Sequence, residues 1–185
     1  LTCLPKTAWP SDFGAGQVGQ KISVTMVIVC SLRWDNRVKL IHPSARSGSS
    51  AKYYTLDSTS QGGQELYEAL FSYLGECFGT DDCYVSNWVL GNEVNSCNAW
   101  NYAGSLNMYQ YMQAYAASFR QLYYGVKSTR ASSRVFISLD NAWNRAVAGY
   151  AGKPILDSFA SYINTEGKNI QWNVAFHPYS QPLTR

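Results

Sequence analysis

No apolar run in this 185-residue sequence reaches the roughly 18 residues that a membrane-spanning helix requires. Charge is sparse, at 15% of residues, and Lys and Arg stand singly. Without a basic stripe to track phosphates, nucleic acid is set aside as a partner. Histidine is scarcer still. His42 and His177 stand too far apart to give ligand spacing, so no metal is expected. The five cysteines, Cys3, Cys30, Cys77, Cys83 and Cys97, include no CxxC pair, which removes zinc-ribbon and thioredoxin-like readings. No GxSxG marks a serine esterase, because Gly104-Ser105 follows a loop rather than a strand. No signal peptide precedes Leu1, as expected of a chain already trimmed. No cofactor is implied.

What is present describes a globular chain, with 46% apolar residues and a net charge of +3. The length suits one domain, residues 1–185, or part of a larger one. Fourteen Tyr and six Trp exceed what such a core needs. Flat amphipathic rings suit surfaces that stack on sugars, although they also serve ordinary packing. Cys77 and Cys83 flank a short turn that a disulfide would close, with Cys97 competing for the same partner; Cys30 ends an apolar strand as a buried thiol. Export to an extracellular or periplasmic compartment fits this usage.

Residues 1–21 form an irregular lead-in. Within it Gly14-Ala-Gly16-Gln-Val-Gly19 matches the dinucleotide fingerprint in letters, but no strand precedes it and no helix follows, so no nucleotide site is assigned. From Ile22 the pattern becomes regular. The β-branched run Ile22 to Cys30 predicts a strand buried on both faces. After a polar loop, Glu65 to Phe78 predicts a helix with Leu66, Leu70, Tyr73, Leu74 and Cys77 on one face. Val85 to Leu90 is a second strand. Met108 to Lys127 is a helix with Met108, Met112, Tyr115, Phe119, Leu122 and Val126 in register. Val135 to Leu139 is a third strand, Ile155 to Ile163 a helix begun near Pro154, and Trp172 to Phe176 a fourth strand. This alternation predicts a parallel sheet with helices on its faces.

In such units functional residues gather past the carboxyl ends of the strands. The first strand runs out into Arg33-Trp34-Asp35, and the second into Gly91-Asn92-Glu93-Val94-Asn95. The third ends in Asp140-Asn141-Ala142-Trp143, and the fourth in His177-Pro178-Tyr179. Four consecutive strand ends thus carry carboxylate, amide, imidazole and aromatic groups. Sugar binding calls for that mixture, with polar forks for hydroxyls and rings for pyranose faces. Trp100 joins the candidates, whereas Trp88, inside a strand, belongs to the core.

Trp88-Val-Leu-Gly91-Asn92-Glu93 resembles the fourth strand of the clan of retaining glycosidases built on the eight-stranded α/β barrel, where an Asn-Glu pair closes the strand. From about Ile22 onward the chain also resembles a group of poorly characterised bacterial domains assigned to glycosidase-like barrels. The resemblance implies a parallel TIM-type (β/α) barrel, here partial and covering about strands 3 to 6. Glu93 would be the general acid/base and Asn92 would bind the hydroxyl beside the anomeric carbon. His177 and Tyr179 would follow strand six near the nucleophile. Asn95, Asp140, Asn141, Trp143, Arg33, Trp34 and Trp100 complete the expected sugar-binding set. Rings such as Trp88 and Trp100 beside Glu93 would desolvate it, as an acid requires.

Glycoside hydrolysis also requires a second carboxylate. The clan supplies it from strand seven, which has no counterpart before Arg185, and a full barrel needs about 250 residues. The expectation is therefore a fragment, inactive or poorly active alone, whose open sheet edges the remainder of the barrel or a second copy covers. Asp140 is the local alternative for the missing carboxylate. A non-catalytic carbohydrate-binding barrel is the rival reading.

Overall fold

The computed structural model describes residues 23–32, 40–81 and 83–179. The lead-in 1–21, including Cys3 and the Gly14 to Gly19 motif, and the strand-end residues Arg33, Trp34 and Asp35 lie outside the described residues.

Strand β1 spans Thr25–Ile28, helix α1 Gln61–Phe78, strand β2 Asn87–Leu90 and a one-turn helix α2 Cys97–Trp100. Helix α3 spans Met108–Thr129, β3 Arg134–Leu139, α4 Gly152–Ile163 and β4 Asn173–Phe176. Caps set the helix starts. The Ser60 hydroxyl accepts from Gly63 N–H at the head of α1. At α3, Asn107 and Gln110 form a reciprocal capping box, so two orphan donors are satisfied together.

The strands lie in the order β1-β2-β3-β4, every pair parallel. Each crossover steps in the same direction. Crossovers of one hand then place every helix on one face. The core bears this out: Met26, Ile28, Trp88, Leu90, Val135, Ile137 and Leu139 pack with Phe71, Tyr115, Phe119 and Phe159 of the helices. At its centre the ring of Phe159 lies 5.1 Å from Phe119, 5.6 Å from Tyr115 and 5.2 Å from Trp172. Burying each such ring contributes about 1.5–3 kcal/mol. Trp88 is buried there, edge-on to Phe78.

Three expectations require correction. β1 is not buried on both faces: Met26 and Ile28 face the helices, while Val27 is 50% exposed. The register row Val27, Val89, Phe136, Asn173 forms the other face, which no described helix covers. The buried stripe of α1 is Gly63, Tyr67, Phe71 and Gly75 rather than the face of Leu66, Leu70, Tyr73, Leu74 and Cys77; Leu70 and Leu74 are partly buried against the core, while Leu66 is 42% exposed. The reason is a close helix crossing. A Cβ on Gly75 would stand 2.4 Å from Gly125 O of α3, so the two glycines bring the backbones together and the leucines border that seam. Nor does a disulfide close the Cys77–Cys83 turn. Among the described residues, no helix is long and apolar enough to cross a membrane.

Candidate active site

The exit from β2 is where the chain is most constrained. Gly91 takes φ +72°, and a Cβ there would stand 2.9 Å from Val94 Cγ1. Two residues later Glu93 takes φ 42°, ψ 55°, the one non-glycine residue at positive φ among those described. A left-handed backbone costs a residue with a Cβ about 1–2 kcal/mol, so its surroundings must hold it there. Helix α3 does so from below. Tyr115 donates to Leu90 O at 2.7 Å, and Tyr111 to Val94 O at 3.0 Å, with Asn101 Nδ2 donating to the Tyr111 oxygen. Burial pushes both phenols well above their ordinary range, which keeps them donors. From the neighbouring strand, Ser138 Oγ accepts the Glu93 N–H at 3.1 Å.

The strained turn aims the Glu93 carboxyl toward the end of β4. Glu93 is 6% exposed. His177 Nδ1 lies 2.8 Å from its Oε1, and the Tyr179 hydroxyl donates to the same oxygen at 2.8 Å. That hydrogen bond, then slight burial and the negative charges of Glu93 and Asp140, hold the Tyr179 phenol above its ordinary range. His177 Nε2 stands 3.4 Å from Ser138 Oγ. The His177 backbone N–H donates to Leu139 O at 2.9 Å, which extends the β3–β4 ladder and fixes the ring's origin. Among the described residues, Glu93 Oε2 has no hydrogen bond. Ser138 shares the strand parity of Phe136, and His177 that of Asn173, so the cluster opens at the rim of the uncovered sheet face. A cleft of about 160 Å³ beside Cys97, Asn98, Gly149 and Tyr150 lies elsewhere and does not include Glu93.

Asp140 serves a different purpose. Its carboxylate accepts from Asn95 Nδ2 and the Ala142 N–H on one oxygen and from Ser96 Oγ on the other, while Asn95 Oδ1 accepts the Asp140 N–H. These contacts tie the loop after β2 to the loop after β3. Backbone bonds from Tyr150 N to Asn95 O and from Asn98 N to Ala148 O join them further. Gly149 sits in the seam, where a Cβ would meet Asn95 O at 2.6 Å. Asp140 and Asn95 are thus buried braces. Their polar atoms are committed inside the protein.

The remaining candidates scatter. Asn141 Nδ2 donates to Tyr179 O at 3.3 Å and so steadies the segment that carries Tyr179. Asn92 is half-buried, and its amide makes no hydrogen bond among the described residues. Trp143 is 37% exposed and stands edge-on to Phe176. Trp100 packs on Tyr53, with Lys52 Nζ 5.5 Å above its ring. The rings that accompany the Glu93 carboxyl are thus His177 and Tyr179, not Trp88 or Trp100 as expected from the sequence. Sequence reasoning missed Ser138, Tyr111 and Tyr115. Ser138 carried a readable signal, being the one polar residue inside the apolar run Val135 to Leu139. Tyr115 stood in the apolar register of its helix and Tyr111 outside it, and only their hydroxyls reach the turn. Among the described residues, no group of three or more His, Cys, Asp or Glu side chains could hold a metal ion.

No curated protein and no solved structure matches this chain. A family described as a family of unknown function (DUF5722) matches residues 17–185, nearly the whole sequence, and the chain belongs to that family.

Proposed function

We propose that this chain carries the acid/base half of a retaining glycoside hydrolase acting on a poly- or oligosaccharide. In this reading the one-sided parallel sheet is part of a TIM-type barrel, about strands 3 to 6. The observation that carries it is the Glu93 carboxyl: nearly buried, set by a strained turn at a strand end, with one oxygen bound and the other free. Strain of this kind persists where the surroundings over-determine it, and it clusters at functional sites.

The chemistry follows from the two oxygens. Oε1 receives His177 and Tyr179, which occupy both of its lone pairs. The exchangeable proton therefore resides on Oε2. From there it passes to the glycosidic oxygen as the bond to the anomeric carbon breaks, and Oε2 then takes a proton from the water that completes hydrolysis. Asn92, one residue earlier with its amide uncommitted, is placed to hold a sugar hydroxyl. The other carboxylate the reaction needs comes from outside the described residues, because Asp140 is consumed in the loop brace.

The test is hydrolysis of a panel of aryl glycosides by the longest natural form of the protein, beside its Glu93→Gln variant. Turnover of one sugar by the parent and its loss in the variant would support the assignment. The second reading is a carbohydrate-binding barrel without chemistry, favoured by Glu93 being the one uncommitted carboxylate at the described strand ends. It predicts oligosaccharide binding by both forms and turnover by neither.

A further inference from the structure

Glu93 N–H, Ser138, His177 and the Glu93 carboxyl form a closed circuit that begins and ends on one residue. We infer that Ser138 is a positioning residue whose single hydroxyl fixes both the left-handed backbone of Glu93 and the proton placement on His177; its catalytic meaning rests on the acid/base reading of Glu93. A serine hydroxyl has one proton to give and lone pairs to receive. At Ser138 a lone pair takes the Glu93 N–H at 3.1 Å. The hydroxyl proton then has His177 Nε2, at 3.4 Å, as its acceptor among the described residues. In the neutral ring Nε2 is therefore the acceptor, the one proton is on Nδ1, and Nδ1–H donates to Glu93 Oε1.

The reverse placement is unfavourable at each step. With the proton on Nε2, Ser138 would accept two bonds and leave its own proton without an acceptor in a site 1% exposed. The lone pair of Nδ1 would then face the Oε1 acceptor at 2.8 Å with no proton between them. Buried donors without acceptors are costly to keep. Ser138 thus does for the imidazole what the partner of a catalytic histidine does generally: the hydrogen bond at one nitrogen sets the role of the other. It also secures the turn that presents Oε2. Removing it frees both ends of the circuit.

The chain contains two histidines, so long-range proton–nitrogen correlation spectra of histidine-labelled full chain are readily assigned with a His42→Asn variant. The expected spectrum of the parent shows His177 with an unprotonated Nε2 and a slowly exchanging Nδ1–H. Ser138→Ala speeds that exchange and shifts the Glu93 amide, and Ser138→Thr, which keeps the hydroxyl, restores both. A parent spectrum with the proton on Nε2 overturns the inference, even should Ser138→Ala fail to fold. So does a folded Ser138→Ala with parental Nδ1–H exchange and Glu93 amide shift. In the longest natural form with substrate, Ser138→Ala lowers kcat by about tenfold or more with KM nearly unchanged, the scale known for hydrogen bonds that orient metal-binding side chains. Absent turnover by the longest natural form would count against the glycosidase reading alone, since the spectra need no substrate.

Discussion

Asp140 and Glu93 are carboxylates at the ends of adjacent strands, and replacing each should do opposite things. Asp140→Ala removes the acceptor of three donors at once: the Asn95 amide, the Ser96 hydroxyl and the Ala142 N–H. All three lie in a region that is almost entirely buried, with Asn95 at 0% and Ser96 at 3% exposure. A buried donor left unsatisfied costs about 1–3 kcal/mol. The three are neighbours, so their costs do not add fully, and a total of about 3–5 kcal/mol is expected. For a domain of this size each kcal/mol lowers Tm by about 2–4 °C, so the midpoint should drop by about 6–20 °C.

Thermal and urea unfolding followed by circular dichroism measure this directly. Asp157→Ala is the control. Asp157 pairs with Lys153 in an exposed i,i+4 bridge, 65% exposed on the acid's side, and its loss should cost no more than about 0.5 kcal/mol. Asn95→Ala should destabilise nearly as much as Asp140→Ala, and the double variant little more than either, because both remove the same network. If Asp140→Ala unfolds within about 1 kcal/mol of the parent yet loses sugar affinity, the brace assignment fails and Asp140 returns as a substrate contact.

Other expectations follow from the same contacts. Glu93→Gln should keep the parental unfolding midpoint within about 1 kcal/mol while turnover disappears; a collapse of the fold would make Glu93 structural. Gly75→Ala should destabilise, although alanine is favoured over glycine by about 1 kcal/mol in a helix, because its Cβ would press on the backbone of Gly125; unchanged or raised stability by urea titration would refute the close crossing. Burial, opposed by Asp57 and aided by Arg46, holds His42 below its ordinary 6.5. The unfolded chain then binds that proton more readily, so stability is complete above about pH 6.5 and falls as pH drops below it. His42→Asn, which keeps an acceptor for the Ser44 N–H, should flatten this slope below about pH 6.5; an unaltered slope would show that other groups set it.

The elements of this fold were legible because periodicity is a property of single segments. Ile155, Phe159 and Ile163 recur at helical spacing and are buried together on α4, and the seven long elements fall where the pattern puts them. Which face wins is a property of pairs. The leucines of α1 made the more hydrophobic stripe, but the seam runs through Gly75 and Gly125, because close approach depends on what is absent from a side chain. β1 looked buried on both faces because a β-branched run carries no mark of what lies opposite it.

The candidate site shows the same division. Position along the strands located Glu93, His177 and Tyr179, since all three follow a strand's carboxyl end, and the fold brings them into contact. Asp140 sits in an equivalent position and was indistinguishable by that rule. What separates the two carboxylates is backbone geometry. Asp140 takes an ordinary conformation and its oxygens turn inward to the Asn95 amide, the Ser96 hydroxyl and the Ala142 N–H. Glu93 is forced to a left-handed conformation by the turn begun at Gly91, and that twist frees Oε2. A glycine at position 93 would relieve the strain but carries no carboxyl. An asparagine tolerates the conformation but carries no acid. Keeping glutamate there means accepting about 1–2 kcal/mol of backbone strain, which the surrounding hydrogen bonds must offset. The tyrosines beneath the turn and Ser138 beside it are what make the strain sustainable, so the support for Glu93 extends well beyond the residues that touch its side chain.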